Sequence, residues 1–426
     1  MQTSLRGIAE KAAKQKEYRF RNLFMMLTVE NLLYCWKYIN KKATPGVDRI
    51  DAQTYGENLL ANITALIASV KSKSYRARLV LRKYIPKLNS KLRPLGIPSI
   101  ADKLLQCAVS RILEAIYEQD FLPFSYGYRP MRSAHDALRE LSEKLRSGIY
   151  LYVVEADIKG FFDNINHGLL LEMLKKRIDD KPFLNLIEKW LKAGILDTNG
   201  MVIDPATGTP QGGIVSPILA NVYLHYALDV WFEEVVKPLC RGEVYLCRYA
   251  DDFVCLFQYE SDAQRYYEEL HKRLETYGLE LATEKTKIIP FSRYSKDING
   301  KKPSFEFLSF EFRWGKNRWG KPMINRRTSR KKYKASIANF TKWIQENRNI
   351  RIGELLSTLK AKLRGYYNYY GLRCNSKSLA DFYYQTNKIL FKWLNRRSQR
   401  KSYNWDGFTK LLQDFKIPRP QICKNF

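Results

Sequence analysis

The sequence predicts an α+β fold in which a mixed region with an antiparallel sheet precedes a helical C-terminal domain. Three observations predict it. Two short apolar runs, Val244–Cys247 and Val254–Phe257, flank Arg248-Tyr249-Ala250-Asp251-Asp252-Phe253 and read as the arms of a hairpin. An earlier apolar run, Leu151 to Ala156, ends in Asp157 and is followed by Gly160, Phe161 and Phe162, as a strand with a functional end would be. Helical periodicity then recurs over Arg330–Asn347, Ile352–Tyr370 and Leu379–Arg397, with polar breaks between.

Adjacent Asp251 and Asp252 at a tight turn between apolar strands would be held together on a rigid support. That geometry suits a hard divalent cation, because Mg²⁺ takes oxygen ligands and binds through one or two carboxylates plus substrate phosphates. Aspartate is common in hairpin turns for purely local reasons, so the pair alone is a weak signal. Asp157 strengthens it by supplying a third carboxylate at a strand end. Three carboxylates from adjacent strands can hold two metal ions, one activating an attacking hydroxyl and one stabilising the leaving oxygen in phosphoryl transfer.

Other motifs stand in a fixed order around these two. They are Pro45-Gly46-Val47-Asp48, Arg93-Pro94-Leu95-Gly96-Ile97-Pro98, Tyr126-Gly127-Tyr128-Arg129-Pro130, Gly208-Thr209-Pro210-Gln211-Gly212-Gly213, Glu284-Lys285-Thr286-Lys287 and Phe307-Leu308-Ser309-Phe310. In this series, over nearly its whole length, the chain resembles the reverse transcriptases encoded by group II introns, also called maturases. The resemblance implies a right-hand polymerase: fingers, a palm with an antiparallel sheet, and an all-α thumb called the X domain. It would place an N-terminal helical extension at 1–43 and the fingers with the start of the palm at 44–150. The palm would occupy 151–310, with finger segments around 167–210, and the thumb 311–426.

The resemblance also assigns roles. Asp157, Asp251 and Asp252 would be catalytic and, together with Ile158, would contact two Mg²⁺ ions, with Mn²⁺ as the alternative. Residues 75–98 read as a hairpin whose arms carry Lys87 and Arg93; a planar fork and a point charge both suit a triphosphate. Taken alone they are ordinary surface cations, and it is the resemblance that gives them to the incoming nucleotide. Phe162 would lie under the sugar and exclude a 2′-hydroxyl, although one of Phe161 and Phe162 is expected in the core because consecutive strand residues face opposite ways. Gln211, on a Gly-rich turn that permits close backbone approach, would hydrogen-bond the nascent pair or template. Lys285 would neutralise phosphate charge or protonate the departing pyrophosphate. Phe305–Phe312 would grip the primer end, with Ser309 standing where the family has glycine.

The remaining segments follow the same frame. Residues 1–43 read as basic amphipathic helices ended by Thr44-Pro45-Gly46. Residues 101–147 are helical in periodicity, interrupted by Pro123 and by Gly127 to Pro130, and residues 167–196 are an amphipathic helical stretch. A helix should run to Leu228, and another should cover Ser261–Tyr277 on the surface.

Charge points to a polyanionic partner. The 426 residues carry a formal net charge of +30, and residues 291–426 account for +24 of it with 32 Lys+Arg against 8 Asp+Glu. The same segment holds 25 of the 57 aromatics, interleaving cations with stacking groups as RNA binding uses them. Within it Arg326, Arg327, Arg364, Arg396, Arg397, Arg400 and Lys401 are candidate RNA contacts. Seven cysteines form no CxxC pair and only four histidines occur, so neither a zinc site nor a disulfide framework is indicated. No run approaches transmembrane length and the N-terminus has no apolar signal region, so a bacterial cytoplasmic setting without membrane partners is expected.

The resemblance therefore implies an RNA-directed DNA polymerase that copies intron RNA into cDNA and binds that RNA to assist splicing and mobility. Its partners would be group II intron RNA, an RNA template with a DNA primer, dNTPs and target DNA. The end of the chain soon after the X domain is what the compact class lacking an endonuclease would show. Alternatives from other classes are a splicing-only RNA-binding maturase, an RNA-templated RNA polymerase, which Phe162 disfavours, and a group II-like enzyme recruited to host defence or repair. The intact aspartates, Gln211 and Lys285 speak for the polymerase, since RNA binding alone requires none of them.

Overall fold

The structure, a computed structural model, describes residues 4–86, 92–209, 211–295, 302–397 and 402–424. The chain divides into two compact units, each assembled from separated segments: Met1–Ser133, Ala156–Phe253 and Ser261–Thr286 in one, and Ala134–Glu155, Val254–Glu260 and Lys287–Phe426 in the other.

The first unit is built on the helix Ile100–Tyr117, capped by the Ser99 hydroxyl and buried on nearly every side, its polar Asp102, Lys103 and Gln106 included. Against it pack the N-terminal helices Leu5–Lys14 and Val29–Trp36, capped by Ser4 and Thr28. Strands β1 (Val80–Pro86) and β2 (Leu92–Ile97) pair antiparallel, with Leu81 opposite Ile97 and Pro86 opposite Leu92. The first arm of the expected hairpin starts at Val80, not Tyr75. Tyr75 is drawn into helix packing instead, its hydroxyl bonded to buried Asp102 and to Trp190 Nε1, and its carbonyl to Lys189 Nζ.

In chain order follow β3 (Tyr152–Lys159), β4 (Ile195–Leu196), β5 (Val202–Ile203), β6 (Val244–Tyr249), β7 (Asp252–Phe257) and β8 (Glu280–Leu281). One sheet runs β2-β1-β4-β5 and the other β6-β7-β3-β8. Phe253 to Phe257 are all fully buried, the signature of a strand covered on both faces, which explains why that run is continuously apolar and does not alternate. The helix Ser216–Leu224 is buried along its length and passes into two π-helical turns, His225–Asp229 and Phe232–Val236.

In the second unit β9 (Lys287–Pro290) pairs antiparallel with the first half of β3, Tyr152 opposite Pro290. Strands β10 (Ser304–Phe307), β11 (Phe310–Lys316) and β12 (Pro322–Thr328) form a meander. The alternating run Phe305–Phe312 is thus two strands joined at Leu308-Ser309, both left-handed with φ of 48° and 69°. Ser309 does make the turn in place of glycine, in a backbone region that disfavours a side chain.

Helices Arg330–Asn347, Ile352–Tyr370 and Ser376–Leu394 follow, each close to its sequence-predicted span. They share a core of Leu355, Leu359, Leu363, Leu379, Phe382 and Leu390. Tyr366 stacks on Phe382 with ring centroids 3.7 Å apart, and Tyr367 is buried, so part of the tyrosine run is core. The Tyr369 hydroxyl donates to Leu308 O at 2.8 Å and so braces the β10–β11 turn. Among the described residues no helix is long and apolar enough to cross a membrane.

Candidate active site

Asp251 sits in the turn between β6 and β7, Asp252 opens β7, and Asp157 lies near the end of β3, all within the first unit. The turn is not a relaxed one. Ala250, which precedes Asp251, is left-handed at φ 57°, an uncommon conformation for a residue with a Cβ.

What holds Ala250 there is a buried polar cluster beneath the turn. Arg248 and Asp229 are both fully buried and form an ion pair through both guanidinium and both carboxylate ends, with Nε 2.7 Å from Oδ1. The remaining Arg248 nitrogen donates to the Ala250 carbonyl at 3.0 Å and to Asn221 Oδ1 at 3.2 Å. Asn221 in turn donates to the Gly127 carbonyl at 2.7 Å. The Arg248 backbone closes the arrangement, its N–H donating to Phe124 O and its carbonyl accepting from Tyr126 N–H, both at 2.9 Å. Gly127 lies so close that a Cβ on it would fall 2.2 Å from Ala250 N, so this position requires glycine.

The Gly-rich loop docks onto the segment after β3. Thr209 N–H donates to Phe162 O and Gly208 N–H to Ile165 O, each at 2.8 Å, while buried His167 Nε2 bonds the Gly208 carbonyl at 2.6 Å. Phe161 and Phe162 occupy a short helical turn, Phe161–Asn164, and both are buried. The expectation that only one of them joins the core rested on a strand geometry that the chain has already left at left-handed Gly160.

The same loop reaches the β1–β2 hairpin. Gly96 N–H donates to Gln211 O at 2.7 Å, and the Arg93 guanidinium donates to Gln211 Oε1 at 2.9 Å. A cavity of about 430 Å³ opens beside this contact, lined by Arg82, Leu95, Gly96, Asp163, Gly208 and Gln211 among others. Arg93 is exposed and its charge is felt at Asp251. Lys87 lies outside the described residues.

Lys285 forms an exposed ion pair with Asp157, which raises the lysine's proton affinity. Burial pushes the Asp251 carboxyl above the usual range, and the Asp157 charge pushes the same way against the pull of Arg93 and Arg248. Among the described residues no three His, Cys, Asp or Glu side chains converge into a cage for a metal. An all-oxygen pair of mutually repelling carboxylates fits a hard cation that brings substrate phosphates as its further ligands. Ile158 has a buried apolar side chain, and only its carbonyl could join that set.

Family comparison meets this geometry directly. Residues 85–312, which include Arg93, Asp157, Phe162, Gln211, Asp251, Asp252 and Lys285, match the family described as reverse transcriptase (RNA-dependent DNA polymerase). The chain belongs to the reverse transcriptase family. Residues 331–410 match the group II intron maturase-specific domain. Protein YkfC of Escherichia coli K12 is 33% identical over 319 residues, 66% of this chain and 83% of that protein. The group II intron-encoded protein LtrA of Lactococcus lactis is 46% identical over 190 residues, 44% of this chain but 31% of LtrA, so the match spans about a third of that relative. A 91 kDa protein in the cob intron of Schizosaccharomyces pombe is 38% identical over 217 residues, 50% of this chain and 26% of that protein. This is a reverse transcriptase of the group II intron maturase type, a right-hand polymerase with a helical domain. A nucleic-acid template, intron RNA and a divalent metal go with that family.

The candidate RNA contacts of this reverse transcriptase separate by exposure. Arg326 is a correction: it is fully buried on β12, where it donates to Ser142 Oγ at 3.2 Å, so it is a structural cation and not an RNA contact. Alternation explains this, since Arg326 and Arg327 point to opposite faces of the strand. Arg327, Arg364 and Arg396 are exposed. Arg397 is half-buried and donates to Ile350 O at 2.6 Å, while Arg400 and Lys401 lie outside the described residues.

Sequence reasoning missed Asp229, Asn221 and Tyr128. An aspartate and an asparagine inside an otherwise apolar helix were a signal, because such residues are buried only when partnered. Tyr128 is left-handed at φ 58°, half-exposed, and edge-on to Phe162 with centroids 6.5 Å apart. Burial pushes its phenol up, the Asp251 charge adds, and Arg93 opposes.

Arg248→Met should lower unfolding stability by about 3–5 kcal/mol, because it strands the Asp229 charge. Arg248→Met with Asp229→Leu should recover most of that in denaturant titration while leaving polymerisation impaired, since the Ala250 carbonyl loses its anchor. A second expectation concerns pH. His225 is buried beside this pair and burial pushes its imidazole down to about 4 from 6.5. The unfolded chain then binds the extra proton first as pH falls, so the stability present above 6.5 drains away between 6.5 and about 4. Unfolding midpoints measured across that window should fall more steeply for wild type than for His225→Phe.

Proposed function

We propose that this reverse transcriptase makes cDNA from the RNA of its own group II intron, with dNTPs as substrates and target DNA supplying the primer. Asp157, Asp251 and Asp252 would hold two Mg²⁺ ions, with Mn²⁺ able to replace them. Those ions, when bound, would activate the primer hydroxyl and stabilise the leaving pyrophosphate. The observation that carries the reading is that Arg93, Gln211, Phe162, Asp251, Asp157 and Lys285, scattered over the sequence, belong to segments docked on one another in one unit.

Each side chain has a physical task in this reading. Arg93 presents a planar fork to the triphosphate while Gln211 fixes its direction. Phe162, held by Thr209 through its carbonyl, fills the space a 2′-hydroxyl would need. Lys285 exchanges the Asp157 carboxylate for phosphate oxygens and can deliver a proton to the departing pyrophosphate. The exposed arginines of the helical unit bind intron RNA, and splicing is assisted by that binding, the catalytic groups of splicing belonging to the RNA.

Primer extension on a long RNA template with Mg²⁺ should incorporate dNTPs in preference to rNTPs and should vanish in Asp251→Ala, while intron RNA binding persists. Loss of both in a folded variant would refute the separation of the two activities. Intron RNA affinity should also fall steeply with salt. Replacing Arg327, Arg364 and Arg396 together by Gln should flatten the log–log slope by roughly 2–3, one counterion or slightly less per phosphate contact removed; an unchanged slope would move the RNA surface elsewhere.

A further inference from the structure

Tyr128 is a place where the fold holds a bulky residue in a backbone conformation it resists. Its φ of 58° lies in the left-handed region, which carries a penalty of roughly 1–3 kcal/mol for a residue with a side chain. A position needing only this left-handed turn could be filled by glycine, as Gly160 fills one after β3. The ring is therefore what the position retains.

Three independent constraints fix where that ring goes. The Tyr126 N–H is bonded to the Arg248 carbonyl at 2.9 Å. The Gly127 carbonyl is held by Asn221 at 2.7 Å, and Gly127 packs directly on Ala250 N. Arg129, buried, bonds both oxygens of Glu118 and the carbonyls of Leu122 and Ser125, at 2.7–3.1 Å. Tyr128 is thus fastened to the Asp251 turn through the residues before it and to the segment Glu118–Ser125 through the residue behind it. Its ring meets the edge of Phe162 at 6.5 Å, and it still leaves 44% of its surface open.

We propose that Tyr128 is a specificity-determining residue that forms the second wall of the incoming nucleotide's sugar pocket, with Phe162 as the first. The inference rests on the reading of Phe162 as the sugar gate and of Asp251 as a catalytic carboxylate. An edge-on aromatic pair is stiff, so Tyr128 prevents Phe162 from tilting away when a ribose presses on it. The ring also narrows the space for the sugar between Phe162 and the catalytic turn. Tyr128 acts through its ring, so its hydroxyl is dispensable to the selection.

The test is steady-state incorporation of a dNTP and the matching rNTP by wild type, Tyr128→Phe and Tyr128→Gly, with thermal unfolding of each. Tyr128→Gly removes the left-handed strain, so its thermal midpoint should hold or rise, while KM for the dNTP increases and discrimination against the rNTP drops, each by about tenfold. Tyr128→Phe should keep wild-type discrimination. Wild-type KM and discrimination in Tyr128→Gly would overturn the proposal, as would equal damage in Tyr128→Phe. Asp251→Ala and Phe162→Ala run beside them. If Asp251→Ala still synthesises DNA, or Phe162→Ala still rejects rNTPs, the underlying catalytic reading fails, a result distinct from failure of Tyr128 alone.

Discussion

The active region of this reverse transcriptase depends on one buried ion pair, Arg248 with Asp229. Burying a single charge without compensation is among the most unfavourable events in a fold, and a buried pair is tolerable only when its remaining donors are also satisfied. Here they are: the spare guanidinium nitrogen is taken by the Ala250 carbonyl and by Asn221. The turn that carries Asp251 therefore supplies one of the acceptors that make the burial of Arg248 tolerable. Position and stability are coupled, since the turn cannot relax from its left-handed residue without leaving an arginine donor unsatisfied.

The same logic of mutual satisfaction organises the surroundings. Phe124 and Tyr126 exchange backbone bonds with Arg248, while Gly208 and Thr209 bond the carbonyls of Ile165 and Phe162. Loops that carry functional side chains are ordinarily the mobile parts of a protein. In this unit they are braced by close backbone contacts, with glycines at 127, 208 and 212 wherever a Cβ would collide with neighbouring backbone. A site built this way is preorganised by main chain, and in the proposed reading that would leave the side chains Arg93, Phe162 and Tyr128 to select the substrate.

Much of this was legible in the sequence, and the illegible part has a physical cause. The aspartate hairpin, the β3 strand end and the three C-terminal helices were readable because each has a strong local pattern: apolar runs bounded by turn residues, or a sustained helical period. Arg326 was misread because a cation in a basic stretch looks exposed, and only the pairing of β11 with β12 shows which face it takes. Phe161 and Phe162 were read with a strand alternation that ends at Lys159, before left-handed Gly160. Asp229 could have been noticed as a lone carboxylate in an apolar helix, but its partner nineteen positions away is fixed by π-helical turns that no simple period reveals.

The pairing of Lys285 with Asp157 has a consequence for how such a protein is assembled. An exposed ion pair is weak, on the order of 1 kcal/mol or less, yet it suffices to offset like charges at the end of β3. Asp157 thus has a resident counter-cation in Lys285. If Asp157 belongs to the metal site as proposed, a cation arriving with a nucleotide would have to take that carboxylate over from Lys285, so the pair would keep this position self-neutralised until substrate comes.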